Sequence, residues 1–217
     1  MNVIDRLHEQ QVATRRVDVL SRHLASLLPM GASVLDVGCG DGMLCRRLGE
    51  LQPDLSFTGV DVLVRPDTAI PVEQFDGFHL PFADNSFDVV MFVDVLHHAV
   101  DADKLMGEAT RVARQSIVIK DHKLKGVGAG ITLRFMDWVG NHRHGVALPY
   151  NYLTPRQWQT MFDRWQLIVD DREDELSLYP WPASLLFDRD LHFIARLSVP
   201  QQFEQPHRPV AAKLAEV

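Results

Sequence analysis

The chain has 217 residues, 46% hydrophobic and 24% charged, which is enough length and apolar content for one full core. A net charge of −7 argues against a broad nucleic-acid surface, which needs a basic stripe. No apolar run reaches the ~20 residues of a membrane span. Met1–Arg6 opens no leader-like stretch, so the expectation is a cytoplasmic protein. The two cysteines, Cys39 and Cys45, make neither a disulfide framework nor a zinc cluster and read as small packing residues.

Residues 1–29 carry Val17, Leu20, Leu24, Leu27 and Leu28 at helical spacing, with Arg15, Arg16, Arg22 and His23 as polar interruptions. Ser33–Val37 is a strand that runs into Gly38-Cys39-Gly40-Asp41-Gly42, and Met43–Leu51 resumes a helical pattern. A strand, a glycine turn and a helix open a nucleotide-binding α/β unit. Met43 stands where a dinucleotide fingerprint needs its third glycine. Asp36 and Asp41 would repel a pyrophosphate and favour a cationic ligand. Ser56–Asp61 is a second strand that ends in an acid 21 residues after Gly40, the offset at which a carboxylate meets ribose hydroxyls.

The stretch Val34-Leu35-Asp36-Val37-Gly38-Cys39-Gly40-Asp41-Gly42 resembles the first motif of the class I S-adenosylmethionine-dependent methyltransferases. The resemblance implies a Rossmann-like three-layer α/β sandwich, with a mostly parallel seven-stranded sheet and a terminal antiparallel strand. It implies one methyltransferase domain over residues 1–198, capped by the helix of residues 1–29, with a loose tail over 199–217. S-adenosylmethionine is the implied cofactor. The implied cofactor residues in the first two motifs are Asp36, Gly38, Cys39, Gly40, Asp61 and Val62. Gln74–Phe82 is similar to the segment in which an acid meets the adenine amino group; Asp76 takes that role, with Gly77 and Phe78 offering backbone N–H groups. The 63–72 stretch holds Pro66 and Pro71 and departs from the family by lacking a full helix.

Val89–Val93 is a continuous apolar run, as expected of a strand covered on both faces. Asp94 follows it, and the family sets a backbone carbonyl there against the cofactor's ammonium group. Leu96-His97-His98 resembles a run that many members carry. Asp101–Ala113 is an amphipathic helix, and Ser116–Lys120 is a fifth strand with Asp121 and His122 at its tip. His97, His98 and His122 are the candidate proton acceptors, since imidazole titrates near neutral pH. Lys120 is expected to reach solvent. Asp84 and Asp88 read as turn and strand-end residues, and no metal site is expected.

Residues 121–153 form a substrate-side insert, with Gly126, Gly128 and Gly130 as a hinge and 131–139 as an apolar helix. As a lid it would exclude water, although its large apolar groups could equally cover the sheet. Candidate acceptor contacts are Arg16, Phe135, Trp138, His142 and Tyr150. Thr154-Pro155 opens a further helix, and 166–170 and 191–197 are the final strands. The expected function is methyl transfer to a small-molecule O-, N- or C-nucleophile. Two alternatives stay open. One is a protein or RNA acceptor met by Lys120, Lys123, Lys125, Arg134 and Arg143. The other is cofactor binding without turnover.

Overall fold

A computed structural model of the chain describes residues 3–141 and 149–200. Its centre is three parallel strands, β1 (Ser33–Val37), β4 (Phe87–Val93) and β5 (Ala113–His122), flanked by β2 (Ser56–Asp61) and β3 (Val72–Gln74). Their side chains alternate between two apolar layers, so each strand reads as a continuous hydrophobic run. Val34, Met91 and Val118 pack towards α1 (Val3–Leu27) and α2 (Met43–Leu51). Leu35, Val90 and Ile117 pack towards α3 (Ala102–Val112) and α5 (Pro155–Arg164). Trp158 and Phe162 supply the large groups of that second layer. Thr154 caps α5 with a reciprocal capping box, Gln157 being the partner.

The sheet runs β3-β2-β1-β4-β5-β7-β6, where β6 is Ile168–Glu173 and β7 is His192–Ser198. β1 to β5 pair in parallel, while β7 runs antiparallel to both β5 and β6. The expected three-layer architecture and its antiparallel strand are therefore present. Parallel strands end on one edge, and ligands of such sheets sit beyond that edge. Here it gathers Val37, Asp61, Val93 and His122. The β5–β7 register sets His122 opposite His192 and Lys120 opposite Ile194. Above the edge lie a single 3-10 turn over Leu96–His98, helix α4 (Ala129–Asn141) and the short α6 (Ser184–Phe187).

Some boundaries differ from the sequence reading. β5 begins at Ala113, which pairs with Phe87 of β4, and includes Asp121 and His122, because β7 supplies Phe193 and His192 as their pairing partners. Lys120 does not reach solvent: its side chain is 0% exposed and its ammonium is bonded to Asp94. Among the described residues, no helix is long and apolar enough to cross a membrane.

Candidate functional site

The glycine turn comes first in the chain. Gly38, Gly40 and Gly42 have φ of +73°, +60° and +72°, the left-handed region that side chains resist. A Cβ on Gly38 would sit 2.6 Å from the Val95 side chain, so glycine is required there on two counts. The turn is held by the tip of β2. Asp61 accepts the Gly40 N–H at 2.8 Å through one carboxylate oxygen and the Leu63 N–H at 2.9 Å through the other. Both oxygens keep lone pairs for further donors. Val62 lies across Gly77, where an added Cβ would meet it at 3.3 Å, so the β2 tip and the 76–78 turn form one surface. Arg65 also folds back over Gly40 and lies 3.5 Å from Asp41, a contact that the proline-broken 63–72 stretch gave no signal of.

Two acids behave differently from Asp61. Asp36 is buried beneath the turn and accepts from the Cys45 thiol at 3.0 Å; burial pushes its carboxyl up to about 7. Asp76 is exposed and closes its own turn, accepting the Phe78 and His79 N–H groups at 2.7 Å and the His79 ring at 2.8 Å. The His79 contacts hold its carboxyl below the usual range.

The second part of the site is made of side chains. Asp94 ends β4 with φ +57°, and its carboxylate binds both Arg16 from α1 and Lys120 from β5. Desolvation opposes ionisation of Asp94, yet the two cations hold its carboxyl well below the usual range. His97 is buried between two acids, with Nδ1 2.6 Å from Asp121 and Nε2 3.3 Å from Asp137. Burial pulls its pKa down, and the paired carboxylates outweigh that and push it up to about 10. Asp137 also accepts the Tyr152 hydroxyl.

His122 and His98 have the opposite character. Burial, with Lys120 and His97 nearby, drives His122 well below the ordinary histidine value. Its Nδ1 lies 3.1 Å from that of His192, whose other ring nitrogen is 3.0 Å from the Phe187 carbonyl. His98 is partly open, and burial and the His97 cation lower its pKa. Its Nδ1 is buried without a partner, and its ring centroid lies 4.0 Å from that of His97. All three candidate histidines therefore converge, but only His98 and His122 are pushed below the ordinary histidine value.

Asp94, His97 and His122 bring donor atoms within 4.8 Å of one another, as do His97, His98 and Asp137. Arg16, Lys120 and the His97 imidazolium already balance the carboxylates of Asp94, Asp121 and Asp137. The cluster thus carries its own counter-charges, without calling on a metal cation.

Among the candidate acceptor contacts, Arg16 reaches the cluster through Asp94. Tyr150 lines a cavity of about 310 Å³ together with Leu124, Gly128, Ile131, Arg134 and Tyr152. Tyr152 joins that cavity to the cluster, since its ring also stacks on His97 at 5.5 Å. Phe135 and Trp138 are half exposed, whereas Leu133 and Asp137 of the same helix are buried. His142 lies outside the described residues. Asn151 returns the insert to the site, donating its backbone N–H to the His97 carbonyl and its side-chain amide to the Ala99 carbonyl, both at 3.0 Å. Lys120, Asp121, Asp137, Tyr152 and His192 complete the cluster, and no sequence motif marked the last three.

Residues 35–118 match the family described as "Methyltransferase domain". That span runs from β1 through the glycine turn, Asp61 and the histidine turn into β5. Over those residues the chain is similar to the class I S-adenosylmethionine-dependent methyltransferases. It is 31% identical over 120 residues to 27-O-demethylrifamycin SV methyltransferase of Amycolatopsis mediterranei, covering 48% of this chain and 42% of the relative. It is 30% identical over 150 residues to 2-methyl-6-phytyl-1,4-hydroquinone methyltransferase of Synechocystis, covering 64% and 41%. The chain thus spans less than half the length of these relatives. An S-adenosylmethionine-dependent methyltransferase from Mesorhizobium loti shares the fold, with a TM-score of 0.60, 19% identity, and coverage of 82% of this chain and 96% of that one.

The family's methyl donor is S-adenosylmethionine, and the first half of the site suits it. The glycine cradle admits a backbone-close ligand, Asp61 keeps acceptor capacity beyond its two backbone donors, and Val62 and Leu63 beside it are exposed apolar groups.

Proposed function

We propose that the chain methylates a hydroxyl group of a small molecule, with His98 taking the acceptor proton. The observation that carries this reading is a half-buried histidine whose Nδ1 is unpartnered and whose pKa burial pushes down, packed beside His97, which is hydrogen-bonded to Asp121 and lies 3.3 Å from Asp137. A hydroxyl must lose its proton to become a good nucleophile, and a neutral imidazole can take it. An amine or thiol acceptor has less need of one. The rifamycin relative carries an O-methylation in its name, which favours this acceptor class.

When bound, S-adenosylmethionine supplies the electrophilic methyl group together with its own leaving group. The residues of this chain bind, orient and exclude water. Asp61 would hold the ribose hydroxyls, with Val62, Asp76, Gly77 and Phe78 along the adenine side. Gly38 and the Asp94 backbone would flank the amino-acid part. His97, hydrogen-bonded to Asp121, packs against the ring of its neighbour His98, and burial together with the His97 cation keeps that neighbour's pKa below the ordinary histidine value. Tyr152 and Asn151 tie the insert down over the crevice, where in-line alignment supplies most of the rate advantage. The 126–128 turn, with positive φ at Gly126 and Gly128, would act as the hinge of this lid.

A macromolecular acceptor draws less support. Of the basic residues it would use, Lys120 and Lys123 are buried, Lys120 on Asp94 and Lys123 on Asp174 and Asp190. The test is to supply methyl-labelled S-adenosylmethionine with a cell extract split by size. Label should enter the small-molecule fraction and depend on His98. Label confined to protein or RNA would overturn the proposal.

A further inference from the structure

The cavity beside the histidine turn has an aromatic wall held under strain. Tyr150 has φ +57°, the left-handed region that a bulky side chain resists. The next residue pins the chain there, since Asn151 donates its backbone N–H to the His97 carbonyl and its side-chain amide to the Ala99 carbonyl. Backbone strain over-determined in this way gathers at ligand-holding positions. The Tyr150 ring lies 6.3 Å from that of Tyr152, and both line the cavity. Tyr152 stacks on His97 at 5.5 Å, and His97 packs on His98 at 4.0 Å. A run of ring contacts thus leads from the cavity to the unpartnered Nδ1 of His98. At the other end the Arg134 guanidinium lies 5.4 Å over the Tyr150 ring. A ring face offers no lone pair, so this contact leaves the N–H donors of Arg134 open to an acceptor. Among the described residues no carboxylate pairs with Arg134, whereas Lys125 is paired with Asp190 and Arg189 donates to Thr132.

We propose that this cavity binds the acceptor as a hydroxylated aromatic acid of one or two rings, with Arg134 holding its carboxylate. The inference rests on the hydroxyl methylation proposed above and names its substrate class. A flat ring suits the tyrosine pair in offset or edge contact, and Leu124 and Ile131 give the cavity apolar sides. The planar fork of one guanidinium matches a carboxylate and balances a single negative charge. The second charge of a phosphate would need a further cation, and Lys125 and Arg189 are engaged elsewhere. A volume of about 310 Å³ lies at the lower end for small-molecule pockets, which suits one or two rings and not a larger skeleton.

The experiment is calorimetric titration of the full chain, with the demethylated donor S-adenosylhomocysteine present. The probes are 4-hydroxybenzoate and 6-hydroxy-2-naphthoate, each beside its neutral carboxamide. At least one acid should bind about tenfold or more tightly than its amide, the usual worth of hydrogen bonds to a charged group. R134M should bring that acid down to the affinity of its amide, leave the amide unchanged and keep the wild-type circular dichroism. R134K should keep part of the preference, because lysine retains the charge without the fork. Equal affinity for acid and amide, a preference that survives in R134M, or no binding by any of the four probes would overturn the proposal. Methyl transfer from labelled S-adenosylmethionine to the same probes separates the two readings. Acid binding that depends on Arg134 but leads to no methylated hydroxyl would support the pocket and overturn the hydroxyl reading. Equal transfer to acid and amide would do the reverse.

Discussion

The two halves of the crevice are built by different means. The proposed donor side is largely a backbone construction within residues 38–78: three glycines, the Asp61 tip and the 76–78 turn, all supplied by the β1–β3 half of the sheet. The proposed acceptor side is a side-chain construction that spans residues 16–192, joining Arg16, Asp94, His97, Lys120, Asp137 and His192. Backbone cradles tolerate exchange of the residues around them. A balanced cluster of buried charges does not, because removing one member leaves its partner uncompensated. Substitutions on the acceptor side should therefore cost more, and should act on stability and turnover separately.

The largest effect is expected on turnover. His98→Gln should lower kcat by about 10²–10⁴-fold, the usual worth of a positioned proton acceptor, with donor affinity unchanged by calorimetry. A loss confined to donor binding would erase the contrast between the two sides. Lys120→Met should lower folding stability by about 3–5 kcal/mol in urea titration, since Asp94 loses its buried cation. The double change Lys120→Met with Asp94→Leu should recover much of it. A single variant as stable as wild type would show that Arg16 alone neutralises Asp94.

The donor side should yield less. Gly38→Ala should cost about 1–3 kcal/mol, from the left-handed φ and the Val95 contact together, and should weaken donor binding. Relief by Val95→Ala should be partial, because φ stays positive. Asp76→Asn should have the smallest effect, on donor affinity alone, since the side chain is exposed and holds only its own turn.

The same contrast appears against pH. His97 has a folded pKa pushed up to about 10, above its unfolded value, so its ion pairs contribute stability in full below about pH 6.5. That contribution fades as pH rises through about 10. His122 and His192 have folded values pushed down, to about 3 for His192, so their contribution is present above about pH 6.5 and is lost as pH falls. The urea midpoint should decline on both sides of neutrality, and Asp121→Asn should flatten the alkaline limb only.

This division also explains what could be read in advance. The proposed donor side lies in short motifs, so the glycine turn and Asp61 followed from spacing and pattern, while the mostly parallel sheet followed from the family resemblance. Lys120 was misjudged because its environment depends on Asp94, a residue 26 positions away across the β4–β5 pairing. His192 carried no local signal at all; the antiparallel register of β7 with β5 sets it beside His122. Asp137 looked like one polar residue in an apolar helix, and only the packing of α4 over the strand ends turns it inward to His97. Long-range pairing, not composition, assembles the acceptor side.

Isothermal titration of the full chain with S-adenosylmethionine, wild type beside Asp61→Ala, tests the donor site most directly. The wild type should bind one equivalent. The variant should bind about 10–100-fold more weakly, corresponding to about 1.5–3 kcal/mol for hydrogen bonds to one charged group. A folded wild-type protein that gives no binding heat at several temperatures, or a variant that binds as tightly as wild type, would contradict the account.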